Sequence, residues 1–194
     1  MVVGLALALA LGGALPDPPV GSLGNWSQPN GDATYVARQT GQNGQCHLQV
    51  IHDADQSVLW ERDGCYGGKA DKEFLSRDGQ RLIVLATFPA ASGKQAAGWS
   101  NSTVAWLFDR GTVVSSGKAG QFVKDGSHVR REVSHFSWLQ GANGVPGVPP
   151  HLNDASDAVE LDAIDGTHAV LAFDGFKLRP MPSTRKHKAK HRRH

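Results

Sequence analysis

Five Asp-Gly pairs, at 63–64, 78–79, 125–126, 165–166 and 174–175, punctuate the chain and constrain its fold more than any other feature. Both residues tolerate positive φ, so the pair suits the tight turn between antiparallel strands. Around these turns lie short β-type runs: Thr34–Gln39, Cys46–His52, Ser57–Glu61, Arg81–Phe88, Thr103–Phe108, Val129–Leu139, Val159–Ile164 and His168–Phe173. In the second run Cys46, Leu48 and Val50 alternate with His47 and Gln49, the period of a half-buried strand. The 23 Gly and 10 Pro add further turns and shorten the runs between them. No window carries the periodicity of a long amphipathic helix, and Gly67–Leu75 has room for one short helical turn at most. The expected fold is all-β: an antiparallel meander arranged as stacked blade-like sheets or as a β-sandwich.

Charge and hydropathy divide the chain into four parts. Residues 1–14, Met1 to Ala14, are apolar and uncharged, and Pro16-Asp-Pro-Pro19 follows closely. The run is too short for a bilayer-spanning helix, which needs about 20 apolar residues, and Gly12 and Ala14 are small enough for a signal-peptidase site. It reads as a signal peptide, which makes the expected location secreted, periplasmic or cell-surface. Residues 15–32, rich in Pro, Gly, Ser and Asn, read as a linker or irregular entry segment anchored by Trp26. The β domain is expected over 33–176. All eighteen acidic residues and twelve of the twenty Lys and Arg precede Lys177, so residues 1–176 carry −6 and residues 177–194 carry +8. The second segment is joined through Pro180-Met-Pro182, and because Arg185–His194 has no large apolar residue with which to fold it reads as a disordered basic tail.

A faint repeat runs through the β region. Ser57–Asp63 matches Thr103–Asp109 at an offset of 46, and Phe74–Leu82 matches Phe122–Val129 with one gap. That period suits a four-stranded propeller blade. Phe74-Leu-Ser-Arg-Asp78-Gly-Gln-Arg-Leu82 and Val133-Ser-His-Phe-Ser-Trp138 resemble the Phe-Ser-x-Asp-Gly-x-x-Leu and Phe-Ser-Trp blade motifs of TolB-type β-propellers. The resemblance implies four-stranded antiparallel blades. At 46 residues each, Ala33–Phe173 would hold about three, below the four that normally close a ring.

Few constellations point to chemistry. Cys46 and Cys65 are the two cysteines, and in an oxidising compartment a disulfide between them would stabilise by roughly 3 kcal/mol. Two buried thiols or a metal pair are the alternatives, but further ligands at zinc spacing are absent, so no metal is assigned. Gly98-Trp-Ser100-Asn-Ser102 lacks the second Gly of a nucleophile elbow and reads as a loop before a strand. Gly64-Cys-Tyr-Gly-Gly68-Lys69-Ala70 falls one residue short of a phosphate-binding loop and has Ala70 where Ser or Thr would hold magnesium. It reads as a turn fixed by the disulfide. Asp53-Ala-Asp55-Gln-Ser57 starts like a calcium loop, yet Val58 and Gly64 occupy the positions of the required Gly and Glu, which leaves a hairpin turn. Asn153-Asp154-Ala-Ser-Asp157 also reads as solvated turn residues. The histidines His47, His52, His128, His135, His151 and His168 are scattered over separate strands, and His187, His191 and His194 lie in the tail.

The catalytic residues are therefore unknown, no cofactor is expected, and the one binding element the sequence offers is the tail. Arg185, Lys186, Lys188, Lys190, Arg192 and Arg193 supply a density of charge that binds phosphate or carboxylate polymers by counterion release. The leading expectation is a noncatalytic exported β domain held by this tail to an anionic polymer or membrane surface, without a specific nucleic-acid motif. The rivals are an extracellular hydrolase whose site is assembled only by the fold, and a structural module that completes its sheets by self-association.

Overall fold

The computed structural model describes residues 24–68, 70–90, 98–133 and 135–175. The leader expected at 1–14, most of the entry segment and the tail lie outside the described residues. The protein is all-β, built from antiparallel sheets. The first sheet is a meander of β1 (Trp26–Pro29), β2 (Tyr35–Gln42), β3 (Gln45–His52) and β4 (Val58–Asp63). The second is a meander of β5 (Lys72–Leu75), β6 (Arg81–Leu85), β7 (Thr103–Asp109) and β8 (Thr112–Lys118). A one-turn helix α1 (Ala119–Phe122) and the two-stranded pair β9 (Arg130–Arg131) and β10 (Phe136–Ser137) lead to a third sheet. That sheet holds β11 (His151–Asn153), β12 (Ala158–Asp162) and β13 (His168–Ala172). Trp26–Pro29 thus contributes a strand from within the segment read as an irregular entry.

The second sheet lies between the other two. In β6, Leu82, Ile83, Val84 and Leu85 are all fully buried, so the strand is apolar on both faces and cannot alternate. Leu82, Val84 and Phe108 pack with Ala37, Leu48, Val50 and Trp60 of the first sheet. Ile83, Leu85 and Leu107 pack instead with Val159, Leu161 and Leu171 of the third. The first and third sheets each have one covered face and one polar face, which restores alternation: Leu48 and Val50 are buried while His47 and Gln49 are not. Trp138, fully buried between the second and third sheets, donates its indole N–H to the Ala86 carbonyl at 2.7 Å and lies 5.0 Å from the Phe122 ring.

Only two of the five Asp-Gly pairs, 78–79 and 165–166, join paired strands, and one of them closes a turn built like another hairpin turn of the chain. Asn30–Tyr35 and Ser76–Arg81 superpose in chemistry at an offset of 46. In the first, the Asn30 Oδ1 accepts from Tyr35 N at 3.0 Å and the Asp32 Oδ1 from Thr34 N at 3.1 Å. In the second, the Ser76 Oγ accepts from Arg81 N and the Asp78 Oδ1 from Gln80 N, both at 3.0 Å. The residue after each aspartate is left-handed, Ala33 at φ 58° and Gly79 at φ 68°. At Gly79 a Cβ would also sit 2.7 Å from the Tyr35 ring, so glycine is required there by contact as well as by φ.

This geometry corrects the repeat read from the sequence. Ser57–Asp63 carries β4, the last strand of its sheet, whereas Thr103–Asp109 is β7, the third strand of the next. Phe74–Leu82 is the β5–β6 hairpin, but Phe122–Val129 runs from α1 through a short 3-10 turn. The equivalent strands are β1 with β5 and β2 with β6, which begin 46 residues apart. The connection from Ala86 to Ser102 then lengthens the second sheet and destroys the offset. Within Gly67–Leu75, which had room for one short helical turn at most, Lys72–Leu75 is a strand, drawn into the sheet by pairing with Leu82–Leu85.

Because β6 is buried on both faces, neighbouring substitutions on it should cost alike. Leu82→Ala and Ile83→Ala are each expected to lower unfolding free energy by about 2–5 kcal/mol. In β3, Leu48→Ala should cost as much while Gln49→Ala stays within about 0.5 kcal/mol of wild type. Urea unfolding of the four variants checks this, and a neutral Ile83→Ala would contradict the layered arrangement.

Candidate functional site

The one covalent link sits where the first sheet hands over to the second. Cys46 on β3 and Cys65, just beyond β4, are bonded with their Cα atoms 4.8 Å apart. Gly64 N donates to the Cys46 carbonyl at 2.9 Å, Tyr66 N to the Gln39 Oε1 at 2.7 Å, and the Trp26 indole N–H to the Tyr66 carbonyl at 2.9 Å. The glycine-rich segment after Cys65 is therefore a clamped turn, with Gly67 at φ 71°. Lys69 lies outside the described residues.

Beside the disulfide, the end of the first sheet forms an open cleft of about 610 Å³, lined by Asn25, Thr40, Gln42, Asn43, Gln45, His47 and Asp63 among others. The register places Thr40, His47 and Asp63 in one cross-strand row. The Nδ1 of His47 lies 2.9 Å from the Asp63 carboxylate and its Nε2 3.2 Å from that of Glu61. Hydrogen bonding to Asp63, aided by Glu61, raises the histidine above its ordinary pKa. With a carboxylate on each nitrogen, His47 has no lone pair left to act as a general base in this arrangement. The other lining groups are amides and a hydroxyl, which can hydrogen-bond a polar ligand but supply no nucleophile with a base.

Two half-buried carboxylates lie on β5 and its approach. Asp71 and Glu73, two residues apart, both have pKa values raised above normal. Burial is the main cause for each, and for Glu73 the nearby Asp71 charge adds to it, lifting the group to about 7. Asp71 accepts a hydrogen bond from Thr87 N at 3.1 Å, which opposes its shift. Glu73 Oε1 is buried without a hydrogen-bond partner. It is pressed against the handover turn: a Cβ at Gly67 would sit 2.5 Å from this oxygen. No motif marks this pair in the sequence. The signal was the spacing Asp71-x-Glu73 running into Phe74-Leu75, which a strand puts on one face and which a helical reading hides.

The remaining candidates stay apart. His52 pairs with Asp55 at 3.0 Å, His128 with Asp125 at 3.4 Å, His168 with Asp162 at 2.7 Å, and His151 stands 3.9 Å from Glu160. Each pair is local to its own turn or sheet, and His135 is buried beside Phe88 at 5.2 Å between ring centres. Asp53–Ser57 is the β3–β4 hairpin turn, closed by Asp55 accepting from Ser57 N at 3.0 Å. Trp99–Asn101 is a 3-10 turn leading into β7. Asn153–Asp157 is the β11–β12 turn, tied to the second sheet by Arg77 Nη2 donating to the Asp154 carbonyl at 2.7 Å. Among the described residues no three His, Cys, Asp or Glu side chains converge to hold a metal ion. No described helix is long and apolar enough to cross a membrane. The six tail cations named above lie outside the described residues. No protein-family model matches the chain, and no curated protein matches its sequence.

The half-buried Glu73 predicts how stability depends on pH. Its folded pKa of about 7 stands above the ordinary 4.5, so the folded state keeps a proton that the unfolded chain has released. Stability from this group is full below about pH 4.5 and is lost as pH rises through 7, by up to roughly 3 kcal/mol. Glu73→Gln should therefore be about 2 kcal/mol more stable than wild type at pH 8 and should flatten the pH profile between 5 and 8. Urea unfolding at several pH values measures both, and an unchanged slope in the variant would contradict the burial of a protonated acid.

Proposed function

We propose that this chain is an exported, noncatalytic β module that attaches to an anionic polymer or surface through its basic tail. The observation that carries the reading is the segregation of charge: a body of net −6 followed by eighteen residues of net +8. Several arginines of the described body are engaged by neighbouring groups. Arg38 is bonded to Gln49, Arg62 to the Gly111 carbonyl, Arg77 to the Asp154 carbonyl, and Arg81 and Arg110 to Asp109. Arg130 and Arg131, side by side and exposed on β9, are the one adjacent pair of cations among the described residues. Export rests on the apolar leader, and a disulfide-bonded all-β body is compatible with an extracellular location.

Two observations weigh against the rival readings. For a hydrolase, Asp71 and Glu73 are the carboxylates with the right perturbation, but the Glu73 carboxyl lies against Gly67 and its residue stands opposite Val84 on β6. For self-association through the outer sheet faces, the first sheet presents Arg38, His47, Gln49 and Glu61 and the third presents His151, Glu160, Asp162 and His168. Those side chains are already bonded within their own faces and bury little apolar area on docking. The likeness to TolB-type blades is supported by the two four-stranded meanders and by the Asp-Gly hairpin at Phe74–Leu82.

Removal of residues 183–194 is expected to abolish retention on heparin, duplex DNA and anionic vesicles at low salt and to leave the melting temperature within about 1 °C. For the full chain on DNA, the logarithm of affinity should fall steeply with the logarithm of salt concentration, by nearly one unit per neutralised phosphate. Chromatography and thermal melts of the two chains decide it. Equal retention of the truncated chain would remove the tail from the function.

A further inference from the structure

Three asparagines of the described chain stand directly before glycine: Asn30, Asn43 and Asn143. An asparagine so placed is open to attack by the backbone nitrogen that follows it, because glycine has no Cβ to hold that nitrogen away from the side-chain amide. Within a fold, the reaction depends on whether the amide is free to turn and whether the local backbone is free to open. The three sites differ in both respects.

Asn30 is 4 % exposed, its Nδ2 donates to the Arg77 carbonyl at 3.0 Å, and its Oδ1 accepts from Tyr35 N at 3.0 Å. Gly31 is packed on Asp154, whose carboxyl oxygen would lie 2.7 Å from a Cβ there. Asn143 donates from Nδ2 to the Thr87 Oγ1 at 3.0 Å, and the Gly144 carbonyl accepts from Arg130 Nη1 at 3.3 Å. Asn43 has no such restraint. With Gly44 it forms the two-residue turn between β2 and β3, at φ 54° and 77°, beyond the terminal pair of Gln42 and Gln45. Both turn residues are exposed, nothing stands within 4 Å of where a Gly44 Cβ would lie, and no hydrogen bond holds the Asn43 amide among the described residues. Aspartates before glycine close the same ring more slowly, and here the glycine nitrogens are held. Gly64 N donates to the Cys46 carbonyl at 2.9 Å, Gly79 N to that of Ser76 at 3.0 Å and Gly166 N to that of Ala163 at 2.9 Å. Gly44 N makes no such bond among the described residues. Its left-handed turn must open before the nitrogen reaches the amide, and opening there breaks only the Gln42–Gln45 end of the ladder.

We propose that Asn43-Gly44 is a covalent modification site, at which the Asn43 amide is exchanged spontaneously for a carboxylate in the cleft beside His47. Gly44 N bonds to the Asn43 Cγ while its proton passes to the side-chain nitrogen, which leaves as ammonia. Water then adds to one of the two carbonyls of the resulting five-membered imide and breaks the bond from that carbonyl to the Gly44 nitrogen. Opening at Cγ leaves aspartate, and opening at the backbone carbonyl leaves isoaspartate, with the chain routed through the side chain. Water is the co-reactant, and nothing is oxidised or reduced. Either product adds a negative charge to a cleft whose lining includes His47 and Asp63. Isoaspartate also adds one chain atom to a turn whose β3 end is tied through Cys46 to Cys65. The inference stands on the β2–β3 turn and does not depend on the anionic-partner reading.

The experiment incubates the full chain in mildly alkaline buffer, folded and in urea, and follows the three sites by peptide mass spectrometry. In the folded protein the peptide carrying Asn43 should become about 1 Da heavier, and about tenfold faster than those carrying Asn30 or Asn143, whose amides must first leave their hydrogen bonds. In urea the three should convert at similar rates, because the bonds that hold two of them are gone. Ion exchange of the folded sample should resolve a second, more acidic species that Asn43→Gln does not form. A folded Asn43 that stays unchanged while the urea sample converts would overturn the proposal, as would equal rates at the three sites in the folded protein. If Asn43 leads by the same factor in urea, its neighbours in sequence and not the turn set the order, which also overturns it.

Discussion

Burial of the second sheet on both faces is the constraint on which the rest of the structure depends. Leu82 and Val84 face one neighbour and Ile83 and Leu85 the other, so a five-residue strand joins two cores that would each be thin alone. Small sheets with one covered face bury little area per residue, and a shared middle layer raises that burial without lengthening any strand. The outer sheets are then free to carry polar faces, and the bulged outer edges of the first two sheets keep that stack from propagating to other molecules.

The handover between the first and second sheets is where covalent and electrostatic constraints meet. The disulfide holds Cys46 to the start of the connection, hydrogen bonds from Trp26 and Tyr66 hold its middle, and the Glu73 carboxyl closes on it from β5. A carboxyl in such a place holds its proton to higher pH than an ordinary glutamic acid because its charge would lose water and gain no donor. The same feature that makes it conspicuous makes it a poor catalyst: it is held by packing, away from the cleft beside His47.

Function, on this reading, is divided between a rigid acidic body and a basic segment that needs no fixed geometry to bind a polyanion. The two demands are physically separate. Affinity from counterion release scales with the number of cations and tolerates an extended chain, whereas the body needs only to be stable and unattractive to its own tail and to other copies. Local pairing of the body's arginines and histidines with their own turns and strands meets that requirement.

The sequence by itself determined the β class and most of the strands, since runs such as Cys46–His52 and Val159–Ile164 alternate as a half-buried strand does. The cysteine pair and the glycine turn after Cys65 were legible too, because the chain has two cysteines and the apolar leader argues for an oxidising compartment in which they bond. Arg81–Leu85 was legible as a strand but not as the middle layer, since an unbroken apolar run says that two faces are covered and not by what. The same limit misplaced the repeat: Ser57–Asp63 and Thr103–Asp109 are alike in sequence, and only hydrogen-bond order made one a fourth strand and the other a third. Lys72–Leu75 and the burial of Glu73 were invisible for a related reason. Four residues carry too little periodicity to choose a conformation, and tertiary pairing with Leu82–Leu85 made the choice.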